Sequence, residues 1–381
     1  MRLLCAHKIE LDCNDRQATY FAKACGCARK AWNWALTRWK EEYVAAKEAR
    51  KTDPKAKMPS EASLRREFNA IKRQEFPYMM EVTKCAPQHS IKNLGKAFAS
   101  FWKNPKKFGY PKYKKKFVDD SFEISNDKFK VEGRRILIPR LGWVRMREAL
   151  RFKDAKILHA VVSRTAGRWY VSIQVELPDL RHLSAANNHG RCGVDLGVGR
   201  LAVVSDGTVV EGPKALAASL RKLRRLNKAL SRKVKGSGQY RRCRMRLARL
   251  HARIANIRKD ALHKLTHWLT SNFNEIVIED LNVKGMMANR HLARCIADMG
   301  FYEFRRQLEY KAAWRGGQVI VADRYFPSSK KCRFCGQINE GLTLKDRKWT
   351  CPHCGCLIED RDLNAAINLK NWTASSAVTA C

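Results

Sequence analysis

Acidic residues are scarce in this chain. Thirty-six Asp and Glu stand against 76 Lys and Arg in 381 residues, a formal balance of +40, and a compact body with that excess repels itself unless a polyanion neutralises it. Nucleic acid is the natural counter-ion. Also missing are an apolar run of about 18 residues, a signal-peptide core and a free-standing basic amphipathic helix. No membrane partner is therefore expected, although a charged bilayer could attract such a surface. With no export signal, the 14 cysteines fit a reducing cytosol better than a disulfide framework. Cys5, Cys25, Cys27 and Cys243 read as ordinary reduced side chains.

The length allows two or three domains, each with its own core. After a short β-like opening, Trp32, Leu36, Trp39 and Tyr43 recur at helical spacing. A second helix through Leu64 to Ile71 and a third carrying Ile91, Leu94, Phe98 and Phe101 continue the pattern, with breaks expected at Pro77 and Pro87. Between Trp102 and Phe117, Lys106, Lys107, Lys112, Lys114, Lys115 and Lys116 alternate with Phe108, Tyr110, Tyr113 and Phe117. Lysines for phosphate and rings for stacking suit a single strand; the plainer alternative is a solvated linker with anchoring aromatics. From Phe129 to Leu177 the pattern becomes β, and Trp169, Val171, Ile173 and Val175 alternate with polar residues, as in a half-buried antiparallel sheet or small barrel. Leu180 to Gly190 reads as a linker. A hairpin then turns at Asp206-Gly207. Lys214 to Lys264 holds eighteen Lys or Arg against one acid, Asp260, while Leu247, Leu250, Ile254, Ile257 and Ala261 keep a three-four spacing. Two basic helices broken near Gly236-Ser-Gly238 are predicted, with an apolar seam and a cationic face.

Three carboxylates interrupt elements that otherwise read as buried, where an unpaired charge is costly. Asp195 lies in the strand Gly193-Val-Asp-Leu-Gly197, flanked by small residues that would admit a ligand or metal to the backbone. Glu279 follows the β-branched run Ile276-Val-Ile278 at a strand end. Asp362, in Asp360-Arg-Asp-Leu-Asn-Ala-Ala366, shares a helical face with Ala365 and Ala366, while Asp360 is free to cap the helix. In that order after a hairpin, these acids are able to hold two Mg²⁺ ions about 4 Å apart at a phosphodiester. A sharper signal is Cys332-x-x-Cys335 and Cys351-x-x-Cys354, fifteen residues apart and each closed by a glycine, at 336 and 355. Four thiolates at this spacing predict one structural Zn²⁺ with no position left for hydrolysis.

These residues resemble the TnpB family, insertion-sequence-encoded RNA-guided endonucleases related to type V CRISPR effectors. The resemblance spans nearly the whole chain and rests on Gly193 to Gly197, Ile278-Glu-Asp-Leu-Asn282, the double CxxCG, Asp360 to Ala366 and Lys84-Cys-Ala-Pro-Gln88. It implies an α+β multidomain fold: an RNase H-like (RuvC) α/β nuclease core with an inserted zinc ribbon, preceded by a β-barrel wedge domain carrying a helical recognition insertion. The expected bounds are 1–15 for the first wedge strand, 16–117 for the helical lobe, 118–180 for the barrel and 181–190 for a linker. The core follows at 191–327 with its basic hairpin at 214–272, then the ribbon at 328–358, the last core helix at 359–372 and a disordered tail at 373–381.

The resemblance further implies Asp195, Glu279 and Asp362 as catalytic acids holding Mg²⁺. Lys84 and Gln88 match positions that read a short motif beside the target, and their spacing of four puts both on one helix face. The lysines named above and Arg224, Arg241, Arg242 and Arg246 are the other expected nucleic-acid contacts. The partners would be a guide RNA from the transposon and double-stranded target DNA, in a monomeric ribonucleoprotein of a prokaryotic cytoplasm that joins the nucleoid when bound. The expected reaction is Mg-dependent DNA cleavage beside the motif, with base pairing supplying sequence choice. A guide-independent transposase or resolvase, and a non-cleaving RNA-guided repressor, are the alternative readings.

Overall fold

The computed structural model describes residues 3–152, 155–177, 190–343 and 345–373. The predicted linker, apart from Gly190, and the tail beyond Thr373 lie outside the described residues. Two compact units result, Met1–Pro178 and Asp179–Cys381.

The first unit opens with β1 (Leu3–Asp12), followed by helices α1 (Asp15–Ala49), α2 (Glu61–Glu75) and α3 (Cys85–Lys103). Six strands complete it: β2 (Ser121–Ser125), β3 (Lys130–Glu132), β4 (Arg135–Ile138), β5 (Gly142–Met146), β6 (Lys156–Thr165) and β7 (Arg168–Leu177). They form one antiparallel sheet in the order β2-β6-β7-β1-β5-β4-β3, so the helices are an insertion between its first two strands in sequence. The predicted alternation in β7 holds: Trp169, Val171, Ile173 and Val175 are buried. Trp32, Leu36 and Trp39 pack inward from α1, and Trp39 stacks on Phe98 of α3 at 4.4 Å between ring centres. Pro87 does not break a helix as expected. It lies in the first turn of α3, where a backbone N–H has no intrahelical acceptor, so proline loses nothing there.

The second unit begins with β8 (Arg191–Asp195), β9 (Ala202–Val204) and β10 (Val209–Val210). Helices α4 (Ala215–Ser231) and α5 (Gly238–Asn272) lead to β11 (Glu275–Glu279). Then come α6 (Val283–Ala288), α7 (Ala293–Met299), α8 (Phe301–Trp314), β12 (Gln318–Ala322), the short pair β13 (Trp349–Thr350) and β14 (Leu357–Ile358), and α9 (Arg361–Lys370). The main sheet has the order β10-β9-β8-β11-β12, with β8, β11 and β12 parallel and β9 antiparallel to its neighbours. Parallel neighbours need crossovers: α4 and α5 precede β11, and α6 to α8 precede β12.

Strand periodicity sorts the sheet into two faces. Cys192, Val194, Ile276 and Ile278 join Leu262, Leu265 and Leu269 of α5 and Phe301, Phe304 and Leu308 of α8 in the main core. Gly193, Asp195, Val277 and Glu279 occupy the other face, where Val277 meets Leu369 of α9. A Cβ at Gly193 would collide with the backbone oxygen of Ala366 and the backbone nitrogen of Lys370. Gly193, two residues before Asp195, therefore admits a helix and not the ligand or metal the sequence suggested, whereas Gly197 on the other side lines an open cavity with Asp195. The predicted seam of α4 and α5 forms through Leu223, Leu250 and Ile254, whereas Ile257 is exposed, the α5 core positions having moved on to Leu262 and Leu265. A helix this long drifts past any one partner, so its buried stripe changes register where the neighbour changes.

Candidate active site and metal centre

Val194 pairs with Ile278 in parallel register, so Asp195 and Glu279 are the next positions on adjacent strands and share the α9 face. Helix α9 runs antiparallel to β8: Arg191 donates to the backbone oxygen of Trp372, Gly193 meets Ala366 and Lys370, and Asp362 comes to the carboxyl end of the strand. Asp195 and Asp362 line one cavity of about 500 Å³ with Arg200, Ser329, Arg347 and Arg361. Asp360 caps α9 by accepting from the backbone N–H groups of Asp362 and Leu363, as its sequence position suggested. Asp280 is turned aside into ion pairs with Arg305 and Arg324.

The carboxyl of Asp195 is held well above the ordinary carboxylate range, by burial first and then by the charges of Glu279 and Asp362. Arg361 and Arg200 offset this only in part. Burial likewise raises Glu279, against the opposing effect of the Ser328 hydroxyl that donates to it. Asp195 and Glu279 are thus both held back from ionising, and carboxylate oxygens are the donors that hard divalent cations take. Their oxygens do not all fall within 4.8 Å of one another; among the described residues only four cysteines form such a metal-ready cluster.

Those are Cys332, Cys335, Cys351 and Cys354. Sγ of Cys332 lies 3.8 Å from that of Cys354, and Sγ of Cys335 lies 3.6 Å from that of Cys351. A tetrahedron with Zn–S bonds of about 2.3 Å has edges of about 3.8 Å. The two knuckles are built alike. Gly336 and Gly355, at φ 76° and 71°, donate their N–H to the carbonyls of Cys332 and Cys351 at 2.9 Å, a left-handed conformation that glycine takes without strain. Asn364 and Asn368 of α9 donate to the backbone of Ser328 and Lys331, and Asn364 accepts from the Arg333 N–H. The thiolate site and Asp362 are thereby fixed to one helix.

Arg200, Arg347 and Ser328 escaped the sequence reading. Arginine carries no signal in a chain with so many cations, and the only hint was that Gly197-Val-Gly199-Arg200 follows Asp195 after a single leucine.

In the first unit Lys84 and Gln88 are both exposed at the start of α3, one turn apart. Lys106, Lys107, Lys112, Lys115 and Lys116 are exposed, with Phe108, Tyr110, Tyr113 and Phe117 also open to solvent. Lys114 differs. Its ammonium lies 4.1 Å from the Trp32 ring centre, and burial lowers its pKa, so it serves packing. In the second unit Arg224, Arg241, Arg242 and Arg246 are exposed on α4 and α5.

Residues 171–290 match the family model described as "Probable transposase", residues 301–369 that described as "Cas12f1-like, TNB domain", and residues 1–48 that described as "Helix-turn-helix domain". The last span folds here as a strand and one long helix. The chain is 35% identical to "Putative RNA-guided DNA endonuclease InsQ" of Escherichia coli (strain K12), over all of this chain and 94% of that one. It is 34% identical to a "Putative RNA-guided DNA endonuclease" of Streptomyces pristinaespiralis, over 96% of this chain and 88% of that one. A solved Cas12f1–sgRNA–target DNA complex shares the mixed α+β fold, with a TM-score of 0.53 at 11% identity over 97% of this chain and 99% of that one.

Proposed function

The chain belongs to the TnpB family of insertion-sequence proteins, and from that premise we propose that it is an RNA-guided DNA endonuclease whose catalytic acids are Asp195, Glu279 and Asp362. The observation that carries the reading is the meeting of these acids at the carboxyl ends of β8 and β11, with Asp195 made reluctant to ionise by burial and by the other two. In this reading the second unit is an RNase H-like (RuvC) core around a structural Zn²⁺ ribbon. The seven-stranded sheet is a wedge that carries the helical lobe.

The acids would hold two Mg²⁺ ions, whose chemistry is to polarise a phosphodiester and neutralise charge on the departing oxygen. Asp195, Glu279 and Asp362 would supply the hard oxygen donors such ions take. The protein's own residues do the rest. Ser328 fixes the Glu279 carboxylate by donating to it, and Arg347 and Arg361 line the cavity with positive charge, where a phosphate must approach acids. The exposed arginines of α4 and α5 hold a duplex by its backbone, independent of sequence. Base pairing with a guide RNA from the transposon selects the double-stranded target, and Lys84 with Gln88 reads the adjacent motif. A single copy of the chain with its RNA is the proposed working unit, in a prokaryotic cytoplasm.

The test is Asp195→Ala assayed in Mg²⁺ on a plasmid carrying the guide-matched target. Cleavage should be lost while guide RNA binding stays within about twofold of the parent chain, because no phosphate contact is removed. A variant that still cuts ends the assignment. RNA extracted from the purified protein separates this reading from a guide-independent transposase or resolvase, which would carry no discrete species. Cutting by the parent chain separates it from a non-cleaving repressor.

A further inference from the structure

The acid cavity contains its own cation. Arg200, on the loop after β8, donates Nη1 to Asp360 at 2.6 Å and Nη2 to both Asp360 at 2.9 Å and Asp362 at 2.6 Å. The pair is recessed: the side chains of Arg200 and Asp362 are 26% and 14% exposed, so solvent screens their attraction less than at an open surface.

The two carboxylates that share this guanidinium are not equivalent. Asp360 is committed to capping α9 through the N–H groups of Asp362 and Leu363. It also grips Arg200 with both oxygens. Asp362 lies on the cavity wall with Asp195, and its tie to Arg200 is a single hydrogen bond. When Asp362 is drawn toward another cation, Arg200 keeps its bidentate partner and no charge is left unpaired. The tie to Asp362 is therefore the one that breaks at low cost.

We propose that Arg200 is a built-in counter-cation of the acid cavity, parked on Asp360, that competes with divalent metal for Asp362 and so sets the metal concentration at which the site loads. The inference rests on the reading of Asp195, Glu279 and Asp362 as metal ligands, and it assigns Arg200 a role opposite to theirs. Removing a ligand weakens metal binding, whereas removing a competitor strengthens it. Arg347 also reaches Asp362, at 3.1 Å, but from a side chain 59% exposed, so it is the weaker competitor.

The probe is Mn²⁺ alone, titrated into the full-length chain freed of nucleic acid by high salt and gel filtration, with free Mn²⁺ read by electron paramagnetic resonance. Asp195→Asn defines binding that does not depend on the acids. Against that background, Arg200→Gln should lower the half-saturating Mn²⁺ concentration roughly five- to tenfold, the scale of one partly buried charged contact. Arg200→Lys, a weaker competitor that keeps the charge, should fall between, and guards against a folding defect in the first variant. Acid-dependent binding that is unchanged or weaker in both variants overturns the proposal and leaves the metal-ligand reading standing. Absence of acid-dependent binding in the parent chain and in both variants overturns the two together.

Discussion

At Gly193 one missing methyl lets the backbone of α9 lie against β8, because a Cβ there would enter the space of the Ala366 oxygen and the Lys370 nitrogen. Neither is a flexible side-chain tip that could swing away. Gly193→Ala should therefore destabilise the second unit by about 3 kcal/mol, at the upper end of overpacking costs, since the helix itself must shift. Urea unfolding checks this, and a midpoint equal to the parent's would show that α9 is not seated as described. The same residue shows what the sequence could reveal. Asp195 was legible because a charge inside an apolar strand is costly, and the neighbouring glycines were legible as room for close approach. What approaches was not, since nothing local to residues 193–197 encodes a helix some 170 positions later. Ser328 and Arg200 were illegible for a different reason: each acts only through the partner the fold gives it.

Helix α9 ties the thiolate site to Asp362, through Asn364 and Asn368 on one side and its own first turn on the other. Cys332→Ser should remove one of four ligands, reduce bound zinc well below one atom per chain and speed amide exchange along 361–370, because the segment the asparagines grip loses its anchor. Elemental analysis with hydrogen exchange tests both halves. Zinc absent from the parent chain would remove the site, and unchanged exchange in a zinc-free variant would remove the coupling. The double CxxCG made this element readable in advance. The asparagines were not, since buried amides look like surface residues until their partners are placed.

Between α5 and α8, Lys311 donates to Thr266 and to the carbonyl of His263. The pKa of His263 is lowered to about 4, by burial first and then by the charges of Lys311 and Lys259. A lowered histidine stays neutral in the folded chain while the unfolded chain protonates near pH 6.5, so its contribution is complete above that pH and is lost as pH falls toward 4. His263→Gln should flatten the fall in thermal stability across this window by about 1 kcal/mol, a figure reduced for the ring's partial exposure. Parallel curves for the two proteins between pH 6.5 and 4 would place the acid sensitivity elsewhere.

The whole molecule carries a net charge of +40, and the arginines of α4 and α5 are mostly exposed, with hardly an acid among them. Salt must then act with opposite signs on two measurements. For the chain bound to RNA, added salt removes the entropy gained by releasing counterions from the phosphates, so affinity should fall on the order of a thousandfold between 50 and 200 mM. For the chain alone, the same salt screens lysine from lysine and arginine from arginine, and self-repulsion is what the compact state must overcome. Its melting temperature should rise over that range by several degrees, as it should when a polyanion without sequence, such as heparin, is added at low salt. Fluorescence melting and filter binding on one preparation provide the pair. Two curves moving the same way would mean that the basic residues are neutralised within the fold, and the case for a phosphate backbone as their complement would fail at its starting point.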